Sequence, residues 1–242
     1  MISAVLVLTG VVMYAYPMIA NQISQEYTDD TVKSFEETVQ SMQVQKVTSG
    51  ATLNVEGSPL DELLKRVEVY NKNLYDQGQK DLVDPFSYQV SSFDLSDYGI
   101  EDNLFGYIQI PKLNVKLGIY LGATSANMTK GAVHLTQTSL PIGGLNTNAV
   151  IAAHRGTRYR DMFLHIDQLE TGDKVMITNA WKTLTYKVTS TAIIAPNEID
   201  KVLIHAGRDM VTLISCNPYG KSTQRYVVYC DRVTDDSVRF NG

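Results

Sequence analysis

Cys216, Arg225 and His154 are the residues whose types and positions could do covalent chemistry. Cys216 ends the run Val211-Thr212-Leu213-Ile214-Ser215-Cys216. Its alternation and β-branched residues mark a strand. Asn217-Pro218-Tyr219-Gly220 is turn chemistry: proline fixes φ and glycine tolerates φ > 0. Arg225 then opens a second strand-forming run, Tyr226-Val227-Val228-Tyr229. If the two strands pair, Cys216 and Arg225 lie side by side at one edge of a sheet. A guanidinium beside a thiol favours the thiolate, which is the nucleophile. It can also donate to a developing oxyanion. His154 follows the apolar run 149–153 and enters Arg155-Gly156, where a side chain can face a cleft. Together the three suit acyl transfer through a thioester, with the imidazole as acid and base.

Each residue also has a structural reading. A cysteine at a strand end is often a small buried apolar group, and Arg225 could simply cover a sheet edge. Residue types alone do not choose. Cys230 sits in or near the end of a strand without a comparable setting and is read as structural; a Cys216–Cys230 disulfide stays open. His134, His165 and His205 carry no motif. No Cys or His pair has metal-ligand spacing, so neither a metal nor a cofactor is expected.

The elements that must position these residues follow in chain order. Ile2 to Ala20 is almost wholly apolar and uncharged, the first charged side chain being Glu26. As a helix it would be about 28 Å long, close to a bilayer's hydrocarbon thickness, and a transmembrane anchor is expected. Thr28-Asp29-Asp30 can cap a following helix, with Val32, Phe35, Val39 and Met42 on one face. Ser58-Pro59 starts another, with Ser as N-cap, Pro at the first position and Gly78 at the end. Its stripe is Leu60, Leu63, Leu64, Val67 and Leu74. Asp84-Pro85-Phe86 lies in a loop, since proline breaks a helix there. From Leu104 the texture becomes β. Strands are expected at 104–110, 115–121, 131–135, 149–153, 175–178, 184–190 and 191–195, with one helical turn at 124–129. Many short strands with turn signals imply a mostly β fold, a closed or nearly closed barrel with short helices.

The chain of 242 residues allows one sizeable domain plus an appendage. Its net charge of -5 gives no reason to expect nucleic acid. Two cysteines do not make a disulfide framework.

Thr212-Leu213-Ile214-Ser215-Cys216, Pro218-Tyr219-Gly220 and Arg225 resemble the active-site strand pair of the sortases, cysteine transpeptidases of the Gram-positive cell surface. The resemblance extends through residues 104–233 and includes Gly106-Tyr107-Ile108-Gln109-Ile110-Pro111, Thr138 to Gly144 and Ala153-His154-Arg155-Gly156. Three departures are Ser215 for the usual Thr, Gly118 where Pro is frequent, and Asn148 where a second His is common. Asp84-Pro85-Phe86 is similar to the lid of class C, or pilus-assembly, sortases. Tyr16-Pro17 is similar to the membrane-exit segment of the same class.

The resemblance implies an anchor over 1–22, a helical region over 23–80, a lid over 81–90 and a sortase-type barrel over 91–242. It implies His154, Cys216 and Arg225 as catalytic residues. Asp84 would pair with Arg225, and Phe86 would lie against Cys216. It implies an LPXTG-like sorting signal as substrate, a lysine of a second pilin subunit as acceptor, and a membrane-held, outward-facing catalytic domain. Attachment of surface proteins to peptidoglycan is the alternative. A papain-like hydrolase fits less well, because there the cysteine precedes the histidine and opens a helix. A non-catalytic assembly scaffold is the third class.

Overall fold

Eight apolar runs pair edge to edge and close into a barrel. The computed structural model describes residues 2–49, 58–80, 82, 90–157 and 160–233. The strands are β1 (Leu104–Ile110), β2 (Val115–Leu121), β3 (Ala132–His134), β4 (Thr147–Ala152), β5 (Lys174–Asn179), β6 (Thr183–Ile194), β7 (Asp209–Asn217) and β8 (Gln224–Arg232). Their order is β1-β2-β3-β4-β7-β8-β6-β5, and β5 returns to β1. The β2–β3 and β4–β7 pairs are parallel, the others antiparallel. Two expected strands, 184–190 and 191–195, are one strand, β6, with an irregularity between Val188 and Ser190. A bulge bends a strand without ending it, so a break in alternation misleads there.

Alternation sorts side chains to two faces. One apolar cluster takes a residue from every strand, among them Ile108, Ile119, Ala132, Ile151, Val175, Leu184, Leu213 and Val228, and fills the barrel. The other contains Val150, Ala152, Ile214 and Val227 and is covered from outside by helices. At Gly106, in β1, an added Cβ would stand 2.1 Å from Thr178 O, so only glycine lets β5 approach.

The helices are α1 (Ile2–Ser49), α2 (Pro59–Gln77) and α3 (Ser125–Lys130). The cap expected at Thr28 does not start a helix: α1 runs through it. Thr28 Oγ1 instead donates to Ser24 O at 3.0 Å, satisfied inside the helix. What fixes this segment is packing, because Val32, Phe35 and Val39 are buried against the barrel. Each such burial is worth about 1.5–3 kcal/mol, more than a local cap preference. Ile2 to Ala20, expected to cross a membrane, forms the first part of α1. Among the described residues no helix is long and apolar enough to cross a membrane; the side chains of residues 1–9, 11–13, 17, 18 and 20 lie outside that set.

Ser58 and Asp61 cap α2 reciprocally, Pro59 opens it, and Gly78 closes it at φ 68°. Leu60, Leu63 and Val67 of its stripe are buried. Asn71 on the same face is buried too and grips the loop before β4. Its Nδ2 donates to Leu140 O at 3.0 Å, and its Oδ1 accepts from Leu140 N at 2.8 Å. Two 3₁₀ turns, Leu95–Tyr98 and Glu101–Asn103, join the helical region to β1 and were not expected. Asp84, Pro85 and Phe86 lie outside the described residues.

Candidate active site

The ends of β4, β7 and β8 carry the three residues singled out above. In the β7–β8 ladder Cys216 stands directly opposite Arg225. On β7, Cys216 has the parity of Ile214, the outer face; on β8, Arg225 has the parity of Val227, again outer. Both therefore project from the helix-covered side of the barrel at its rim. The parallel β4–β7 ladder ends at Ala152 and Ile214, so the chain leaves β4 beside the last residues of β7. Ala153 N donates to Ile214 O at 3.2 Å, and the buried Ser215 Oγ donates to Ala153 O at 2.9 Å. These bonds bring His154 to the same cleft as Cys216. Ser215, the departure from the usual threonine, still supplies the hydroxyl that joins the two strands.

His154 and Cys216 line an open cleft with Gly156, Thr157, Tyr219, Lys221 and Ser222. Phe163 N donates to His154 O at 3.1 Å and holds its backbone from behind. Burial holds the His154 imidazole below the ordinary histidine pKa, because the cation loses hydration there. Arg225 does not line this cleft directly. It is 5% exposed, and its Nη1 donates to Ser222 O at 2.8 Å and Gln224 O at 3.1 Å. The guanidinium thus braces the β7–β8 loop from beneath.

The remaining candidates are placed elsewhere. Neither cysteine is in a disulfide, so the open pairing question closes. Cys230 is fully buried inside the barrel, where desolvation and then Asp231 push its thiol far up. His165 and His205 are exposed. His134 is fully buried: its Nε2 lies 2.9 Å from Ser139 O and 3.1 Å from Thr138 Oγ1. Asn148, the second departure, is also buried and bonded. Thr212 Oγ1 donates to its Oδ1 at 2.8 Å, and its Nδ2 donates to Val202 O at 2.9 Å. Gly118 has a steric reason as well, since a Cβ there would stand 2.9 Å from Leu104 Cδ1. A separate groove beside α1, lined by Ser24, Thr28, Lys116, Arg160 and His165, contains no nucleophilic thiol. Among the described residues no group of three His, Cys, Asp or Glu is placed to hold a metal ion.

The arrangement is a thiol, an imidazole and a guanidinium at one barrel rim, the groups that nucleophilic acyl transfer requires. A family model of the sortase domain matches residues 108–233, half of the chain, including the ends of β4, β7 and β8 that carry the site. The chain belongs to the sortase family of cysteine transpeptidases. It is similar to sortase D of Bacillus subtilis, 27% identical over 132 residues, covering 53% of this chain and 64% of that one. Less than two thirds of that relative's length is therefore matched. Among solved structures it is similar to sortase C1 of group B Streptococcus pilus island 1, with a TM-score of 0.71, 27% identity, and 88% and 96% of the two chains covered. It is also similar to sortase C from Clostridium perfringens, with a TM-score of 0.65, 31% identity, and 84% and 98% covered.

Sequence reasoning missed how this sortase holds its site from behind. Arg155, quoted only as part of a motif, is buried and bonded to the residue after Cys216. The signal was present in His-Arg-Gly, but nothing in spacing says which way an arginine turns.

Proposed function

We propose that this sortase assembles pili: it cleaves an LPXTG-like sorting signal through a Cys216 thioester and joins pilin subunits by isopeptide bonds. The observation that carries the reading is the Cys216–Arg225 cross-strand pair with His154 on the same cleft. The likeness to pilus-island sortase C1 over 88% of the chain, helices included, supports the pilus assignment. In this reading the Cys216 thiolate attacks the carbonyl between Thr and Gly of the signal. Arg225, opposite Cys216 in the ladder, turns from the loop carbonyls it holds to donate to the tetrahedral oxyanion. The C–N bond breaks as His154 gives its proton to the leaving amine, and a thioester remains. A neutral lysine Nζ of the next subunit then attacks the thioester carbonyl, His154 takes up the proton it releases, the C–S bond breaks, and the thiolate returns.

The apolar run Ile2 to Ala20 supports a membrane anchor; that the barrel stands outside the cell rests on the resemblance to sortases. Asp84, Pro85 and Phe86 are proposed as a lid over this site, on their resemblance to that of class C sortases.

The test is incubation with a pilin bearing the signal, offering a pilin lysine and a wall-bridge amine separately. Ladders of covalent pilin oligomers, absent with Cys216→Ala, are expected. Product formed only with the wall-bridge amine would establish the peptidoglycan-attaching alternative. Acid product in the presence of excess amine would mark a hydrolase. In the same assay Asp84→Ala/Phe86→Ala is expected to speed Cys216 alkylation; an unchanged rate overturns the lid.

A further inference from the structure

The residues that follow the three proposed catalytic ones meet at one buried cation. Arg155 follows His154, Asn217 follows Cys216, and Tyr226 follows Arg225. Arg155 is 8% exposed. Its Nη1 donates to Asn217 Oδ1 at 2.7 Å and lies 3.5 Å from Cys216 O. Its Nε donates to Leu164 O at 3.4 Å, and its Nη2 pairs with the Asp167 carboxylate. Its Cζ sits 5.6 Å from the centre of the Tyr226 ring. A buried cation is costly unless paired and hydrogen-bonded. Asn217 and the Cys216 carbonyl lie on the strand of the thiol, Tyr226 on that of Arg225, and Leu164 on the segment after His154, while Asp167 holds the guanidinium from the 3₁₀ turn Ile166–Gln168.

We infer that Arg155, keyed by Asp167, is a positioning residue for the reaction: it clamps the His154 loop to the Cys216 end of β7. The inference rests on the catalytic roles proposed above. The geometry explains why arginine serves. A planar fork can reach Asn217, Leu164 and Asp167 at once while its face lies on Tyr226; a lysine ammonium is a single point charge. Ser215 joins the same two segments through a bond of its own to Ala153 O. The clamp therefore adjusts where His154 sits relative to the thiol and leaves the strand pairing intact. Displacing a catalytic group by about 1 Å costs up to about 100-fold in rate.

The experiment measures kcat and KM for a sorting-signal peptide together with hydrogen exchange of the segments containing His154 and Cys216. Arg155→Met is expected to lower kcat by about 10–100-fold with KM within about threefold, and to speed exchange in both segments. Arg155→Lys is expected to recover part of kcat, and Asp167→Asn to give a smaller loss with the same split. If Arg155→Met does not fold, these two decide, because each keeps a buried or a half-exposed polar group in place. An unchanged kcat in the folded variants, a loss shared equally by KM, or unchanged exchange in both segments overturns the clamp. If the wild-type protein turns over no sorting peptide, the transpeptidation reading fails, while the exchange measurements still accept or reject the clamp.

Discussion

The two cysteines stand fourteen positions apart on paired strands and differ in almost everything that governs a thiol. Cys230 faces the barrel interior opposite Val211 and Val188, fully buried among apolar side chains. Its thiolate would have no water and Asp231 nearby, so the thiol form is held. Cys216 projects from the outer face at the rim, opposite a guanidinium and on an open cleft with His154. The histidines repeat the contrast. His134 is sealed behind Thr138 and Ser139, and His154, one strand further on, is half-buried at the cleft. Face and strand end, set by a period of two, separate a reactive group from a core filler.

The largest expected effect breaks the cysteine half of this contrast. Cys216→Ala should abolish thioester formation with an unchanged melting curve. Cys230→Ala should keep turnover and lose about 1–2 kcal/mol of stability through the space it leaves. Mass spectrometry for the acyl adduct and denaturant midpoints read the two; an adduct on the Cys216→Ala protein would reverse the assignment.

A second effect tests the histidines and the arginine. His154→Ala should slow turnover by about 10²–10⁴-fold and Arg225→Ala by about 10²–10³-fold, with His165→Ala and His205→Ala near wild type. Steady-state kinetics on the sorting peptide decide. A His205 variant as slow as the His154 variant would point to another histidine.

The last effect leaves activity aside, is one of stability, and sharpens the buried half. Burial lowers the His134 pKa to about 4, its bonds near Ser139 and Thr138 offsetting only part of the desolvation. The unfolded chain takes up this proton near pH 6.5, the folded chain only near 4. Between those values the unfolded state binds more protons, so stability falls as pH drops through the window. The loss is on the order of 3 kcal/mol by linkage. Denaturant midpoints from pH 7 to 4 measure the slope, which His134→Gln should flatten; an unchanged slope in that variant would show that other groups cause it.

Strands were legible where alternation was clean: β1 and β2 begin and end where their residues say, and Ser58, Pro59 and Gly78 bound α2 as their chemistry requires. Three features were not legible, for physical reasons. Thr28 is an equally good partner for Ser24 O inside a helix as for a cap, so only packing of Val32 and Phe35 decides. The irregularity in β6 breaks the period without breaking the strand. At the site, Cys216 and Arg225 could be paired on paper because a short turn joins their strands. The approach of His154 depends on the parallel β4–β7 contact, which joins residues sixty positions apart and leaves no local trace.

The continuity of α1 has a mechanical consequence. A helix of 48 residues is about 72 Å long, and its Val32 to Val39 portion is fastened to the barrel. Tyr107 donates to Glu36 on that stretch, and Lys116 pairs with Asp29 one turn before it. Since no break falls at Thr28, the upstream half continues as helix, a lever rather than a tether, with Pro17 removing one backbone bond along it. Whatever surface grips that lever sets the height and heading of the Cys216 rim. The cleft of Cys216 and His154 would then open along a bearing set by that grip.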